Sequence, residues 1–243
     1  MMSKINTAID INCDLGEGMP NDALLMPFLG SCNIACGGHY GNAVTIYNAL
    51  ALAKKYDVKI GAHPSYPDHA NFGRISLDIE MKALKESLLS QLAGFAKVCQ
   101  SQNLKIHHIK PHGALYNDLA KRENLATMFL DLIRIDYPDA ILYCPPSSII
   151  SELAPQFNVK IALEIFADRN YEDDLTLVSR NHPKALLTNP DEVYGHVKTM
   201  VFGKSIKTIS GKSIPVNADT LCVHGDNPAA LEILKMIHTQ ISI

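Results

Sequence analysis

Side chains that can carry a proton, an anion or a metal recur, mostly beside Gly or Pro, along the 243-residue chain. They stand at Asp14-Leu15-Gly16-Glu17-Gly18, Gly37-Gly38-His39, His63-Pro64, Lys110-Pro111-His112-Gly113, Glu164 with Asp168-Arg169, and His224-Gly225-Asp226. A carboxylate and a histidine from this set can act as general base and acid while Lys110 and Arg169 hold an anionic substrate. Asp14, His39 and His63 are also ligand types for a divalent metal that activates water, although no HExxH or other short-range metal spacing accompanies them. Lys110 is the sharpest single candidate, because a lysine leaving an apolar strand is costly to bury without an anionic partner. Phosphoryl transfer through a P-loop is excluded. The triplets Gly203-Lys204-Ser205 and Gly211-Lys212-Ser213 would need glycines at 198 and 206, where the chain has Lys198 and Ile206.

Nearly all of these groups follow a short apolar run. AIDIN (8–12), CNIAC (32–36), VKIGA (58–62), KIHHI (105–109), AILYC (140–144), VKIALE (159–164) and TLCVH (220–224) are continuous, as buried parallel strands are. Helical patterns lie between them. Over 79–102, Leu84, Leu88, Leu92, Phe95 and Cys99 recur at three- and four-residue steps. Asn189-Pro190 and Asn227-Pro228 each read as an N-cap followed by Pro at the first helical position, with Leu231, Leu234 and Ile241 on one face of the last helix. Segment 202–217 is basic, holds two glycines and reads as an exposed hairpin. No repeat or linker divides the chain, so the expectation is one α/β domain of β/α units over 1–243. Its site would lie beyond the carboxyl ends of the strands.

The remaining residues bound the function. Lys plus Arg number 22 against 25 Asp plus Glu, a net charge of −3. That argues against a nucleic-acid footprint and against a polybasic membrane patch. No stretch approaches the ~18 apolar residues of a membrane span, and MMSKINTAIDIN lacks the apolar core of a secretory signal, so the cytoplasm is the expected compartment. The six cysteines form no C-x-x-C and read as small buried hydrophobes. Among the other histidines, His107 reads as packed in a strand and His108 stays unassigned. His69, His182, His196 and His238 read as surface or structural.

INCDLGEG (11–18), NIACGGH (33–39), IGAHPSYPD (60–68), FGR (72–74), KPHGALYN (110–117), EIFADRNY (164–171) and CVHGD (222–226) closely resemble, in order, the motifs of the LamB/YcsF family. The resemblance implies an irregular seven-stranded β/α barrel of the glycoside hydrolase/deacetylase type. It also implies ATP-dependent opening of 5-oxo-L-proline (pyroglutamate) to L-glutamate, with ATP as co-substrate, Mg²⁺ accompanying it, and B and C subunits as partners. Carried over by motif, Asp14, Glu17, Lys110 and His112 are the expected catalytic groups. His39, His63, Arg74, Glu164, Asp168, Arg169, His224 and Asp226 are expected to bind substrate. The chain departs from the family pattern at Gly38 and Asn42, where an aromatic and an acid are usual, at Ile75 in place of a second Arg, and at Leu175 in place of a glycine. Two other readings stay open: a stand-alone metal-dependent hydrolase or deacetylase on the same barrel, and a non-catalytic subunit that binds substrate and passes it on.

Overall fold

The seven apolar runs all become parallel strands, and they close into a barrel. The computed structural model describes residues 9–240. Its strands are β1 (Asp10–Leu15), β2 (Ser31–Ala35), β3 (Lys59–His63), β4 (His108–Ile109), β5 (Ile141–Cys144), β6 (Ile161–Phe166), β7 (Ser205–Lys207), β8 (Ser213–Pro215) and β9 (Thr220–His224). The barrel order is β1-β2-β3-β4-β5-β6-β9, with β9 pairing back onto β1. The segment expected to be a hairpin is the separate antiparallel pair β7–β8.

The helices are α1 (Asp22–Leu25), α2 (Ala43–Tyr56), α3 (Met81–Ser101), α4 (Gly113–Lys121), α5 (Glu123–Asp136), α6 (Ile149–Leu153), α7 (Pro190–Val201) and α8 (Ala230–Gln240). On α3 the predicted stripe of Leu84, Leu88, Leu92, Phe95 and Cys99 is buried. Asn189 caps α7 as expected, accepting from the backbone N–H groups of Asp191 and Glu192. Asn227 does the same for the turn that leads into α8, its Oδ1 accepting from the Ala229 N–H, although the helix proper begins at Ala230. Its amide nitrogen donates in addition to Asp168 and to the Leu187 carbonyl, because a buried carboxylate must find donors. Ile241 lies outside the described residues.

The inside of the barrel is polar, in contrast to the apolar runs that build its strands. Alternate residues of β1 face inward, as strand periodicity requires. Asp10 accepts from Ser31 and Thr220, Asn12 donates to Glu164 and Thr220, and Asn33 donates to both Asn12 and Asp14. His108 donates to Asn33 Oδ1 at 2.7 Å and stacks on Tyr143. Room for that imidazole comes from Gly61, where a Cβ would collide with the His108 ring. The apolar core lies between the strands and the surrounding helices, with Phe95, Phe129, Leu88 and Leu130 wholly buried.

Candidate active site

At the carboxyl end of the barrel, Lys110 leaves β4 and reaches across the interior. Its Nζ lies 2.8 Å from Asp14 Oδ1, 2.9 Å from Glu164 Oε1 and 3.0 Å from Cys222 Sγ. All four side chains are buried, Lys110 at 2% exposure. Burial alone would pull the Lys110 ammonium down. Asp14, the Cys222 sulfur and Glu164 outweigh it and hold its pKa well above the ordinary value. Burial likewise works against the Asp14 carboxylate, yet Lys110 and His63 keep it well below the usual range. Lys110 and Asp14 are therefore both charged at neutral pH.

Beside this ion triad sits a histidine cluster. Donor atoms of Glu17, His39, His63 and His112 all lie within 4.8 Å of one another, and all four residues are buried. His39 Nε2 donates to Glu17 Oε1 at 2.9 Å, and the His39 ring stacks on His112 with centroids 3.7 Å apart. His63 lies 3.4 Å from Asp14 Oδ2, so the triad and the cluster adjoin. Burial, then the charge of Asp14, pushes the Glu17 carboxyl well above its ordinary pKa. Burial and the neighbouring His63 hold His39 neutral, with its pKa lowered to about 2. Imidazole and carboxylate together are a donor set compatible with a divalent metal such as zinc or manganese.

A cavity of about 620 Å³ opens over these groups. Asp14, His63, Lys110, His112, Phe166 and His224 line it, whereas Glu17 and His39 sit outside its lining. Its walls are Arg74 and Ile75 from the loop after β3, Lys121 from α4, and Thr176 to Arg180 from the long loop after β6. Asp226, from the loop after β9, joins Arg74 and Arg180 at the mouth. His224 Nδ1 donates to Asp168 Oδ1 at 2.8 Å, which leaves its other ring nitrogen free to exchange a proton in the cavity. Asp168 is wholly buried. Arg169 is partly committed elsewhere: it donates to the carbonyls of Val178 at 2.7 Å and Ala185 at 3.2 Å, clamping the β6 loop.

Thus every residue expected from sequence sits at this end of the barrel. Asp14, Lys110, His63, His112, Arg74, Arg169 and His224 line the cavity; Glu17, His39, Glu164, Asp168 and Asp226 support those that do. Sequence reasoning missed Asn12, Asn33, His108, Cys222 and Arg180. For the two asparagines a signal existed: each lies two residues from a charged or barrel-facing position in its strand. For Arg180 there was none, since only the fold of the β6 loop brings it to Asp226.

The departures from the family pattern also find places. Asn42 is exposed and caps α2, its Oδ1 accepting from Val44 and Thr45. Aspartate caps a helix as well as asparagine, so the change leaves the site's geometry alone. A Cβ at Gly38 would collide with Ser65 Oγ and Gln91 Oε1. The buried Gln91, bonded to the Ser65 backbone, fills the room an aromatic would need. Leu175 has φ 62°, the left-handed region where glycine is at ease and a leucine is strained.

A closed parallel β/α barrel with a polar interior and a charged cavity at the carboxyl ends of its strands defines the class. Within that class the chain belongs to the LamB/YcsF family, whose profile matches residues 9–242. It is 40% identical over 238 residues to the 5-oxoprolinase A subunit of Bordetella pertussis, covering 96% of this chain and 94% of that one. It is 37% identical over 234 residues to the 5-oxoprolinase A subunit of Pyrococcus horikoshii, covering 94% and 92%. Among solved structures it superposes on a lactam utilization protein from Thermus thermophilus with a TM-score of 0.87 and 29% identity, over 95% and 96% of the two chains. No helix among the described residues is long and apolar enough to cross a membrane.

Proposed function

We propose that this chain is the A subunit of an ATP-dependent 5-oxoprolinase, opening 5-oxo-L-proline to L-glutamate together with B and C subunits. The observation that carries the reading is the near-full-length identity to proteins of that name, because a barrel alone hosts many chemistries. The site's chemistry supports it. A five-membered lactam is a poor electrophile, which is the physical reason for coupling its opening to ATP. Phosphorylation of the lactam oxygen, with release of ADP, makes the ring carbon attackable. Water adds there, the carbon–nitrogen bond breaks with a proton delivered to nitrogen, and γ-glutamyl phosphate results. A second water cleaves that acyl phosphate to glutamate and phosphate.

Asp14 is the base of this scheme: it is ionised, lines the cavity and keeps Oδ2 clear of Lys110. Lys110 faces the oxygen on which negative charge develops. His224, oriented by Asp168, carries the proton to the leaving nitrogen. The basic mouth, with Arg74, Lys121 and Arg180, receives the substrate carboxylate and phosphate oxygens. Mg²⁺ would enter with the nucleotide. The test is glutamate release from 5-oxoproline and ATP by this chain alone and with candidate partner subunits. Turnover is expected only in the reconstituted mixture and is expected to fall at least 10²–10³-fold in Lys110→Ala. Full ATP-coupled turnover in Lys110→Ala and Asp14→Ala complexes would remove these roles.

A further inference from the structure

The histidine cluster holds more lone pairs than the protein supplies protons to satisfy. His63 Nδ1 is 2.7 Å from the Lys110 carbonyl, and His112 Nε2 is 3.0 Å from the Phe72 carbonyl. A carbonyl can only accept, so both of those nitrogens carry the hydrogen. In neutral imidazoles the remaining nitrogens, His63 Nε2 and His112 Nδ1, are then bare acceptors, yet they face each other at 2.9 Å. Glu17 Oε1 completes the triangle, 3.3 Å from His112 Nδ1 and 3.8 Å from His63 Nε2. Three acceptors turned toward one point repel unless something positive lies between them.

From these contacts we infer that His63 Nε2, His112 Nδ1 and Glu17 Oε1 hold a divalent transition-metal ion, with Asp14 Oδ2 beside it and a position open toward the cavity. Two features of the structure agree. Tetrahedral ligands at about 2.0–2.1 Å from zinc stand roughly 3.4 Å from one another, and the triangle's sides of 2.9, 3.3 and 3.8 Å bracket that value. The backbone carbonyls on the far nitrogens of His63 and His112 are the outer contacts that fix a ligating histidine's tautomer. His39 is a positioning residue. Stacked on His112, it donates Nε2–H to Glu17 and so aims the carboxylate. The competing arrangement is a single proton, held by Glu17 and shared with the two imidazoles.

The chain by itself decides between these, without substrate or partner subunits, so the result is independent of the oxoprolinase reading. Metal-free protein titrated with Co²⁺ is expected to bind one equivalent and to develop the intense visible bands of a four- or five-coordinate ion. Zn²⁺ is expected to displace it. His63→Gln, His112→Gln and Glu17→Gln should abolish the bands while circular dichroism reports a folded barrel. His39→Gln should keep the bands and weaken binding about 10–100-fold. Should any of the three ligand variants fail to fold, elemental analysis of the wild-type chain after dialysis still decides. No stoichiometric metal and no Co²⁺ bands in the wild type, or bands unchanged in both histidine variants, overturns the site in favour of the shared proton.

Discussion

Lys110 is held in place by what it would cost its partners to lose it. Removing one member of a buried ion pair leaves an uncompensated charge and typically costs about 3–5 kcal/mol. Lys110→Met should therefore destabilise the protein by about that amount, read from urea unfolding midpoints, and abolish turnover as well. Protonating Asp14 on acidification would recover part of the lost stability. Asp168 gives a second case at this scale, with a defined sign. Burial works against its charge, but His224 and Asn227 hold its pKa below the ordinary value. A depressed carboxylate adds stability that is fully present above the unfolded pKa, about 3.9, and is lost as pH falls through the lower folded value. Wild type should thus lose stability progressively as pH falls below about 4. Asp168→Asn should start about 1–3 kcal/mol lower at neutral pH and lose less on acidification. An equal acid-dependent loss in both would assign the effect elsewhere. These charged residues were legible in the sequence because a charge at the end of an apolar strand is conspicuous. Asn12 and Asn33 carried only the weaker signal of their two-residue spacing, and Cys222 none, since a small side chain inside such a run looks the same whether it faces helix or barrel interior.

At the level of elements, the strands bring the site together by register. Gly61 pairs with His108 and must lack a side chain for His108 to lie inside the barrel. Gly61→Ala should push His108 off Asn33, and with it loosen the Asn33 contact that orients Asp14. A loss of about 1–3 kcal/mol is expected, as for other overpacked interiors, together with reduced activity. If activity holds while stability falls, the asparagine network supports only the fold. Helix α2 offers the contrast. Asn42→Ala removes its cap at a cost of about 1 kcal/mol and should leave turnover per folded molecule unchanged, and Asn42→Asp should change neither. The seven strands and the α3 stripe could be read from hydrophobic pattern alone, because burial on both faces and burial on one face leave different periods. The second role of Asn227 could not: its oxygen caps the turn before α8, as its place before a proline suggests, and only the tertiary approach of Asp168 engages its amide nitrogen.

Across the whole molecule, net charge and local field point in opposite directions. The chain carries −3, yet Arg74, Lys121 and Arg180 line the mouth of the cavity, and anions are drawn there rather than to the surface at large. Asp226 restrains this field. It bridges Arg74 and Arg180, tying the loops after β3, β6 and β9 across the opening. These groups are partly exposed, so the bridge adds little to stability, about 0–1 kcal/mol. Its effect falls on binding: it neutralises two guanidinium groups that an incoming anion would otherwise meet free. Asp226→Asn should therefore leave the melting temperature within about 2–4 °C of wild type. It should also tighten binding of inorganic phosphate, measured by calorimetry, more strongly at 10 mM than at 150 mM salt, where the screening length falls from about 30 Å to about 8 Å. If phosphate binds no better, or the gain does not depend on salt, the carboxylate holds the arginines in the geometry an anion needs. The mouth then works through shape before charge.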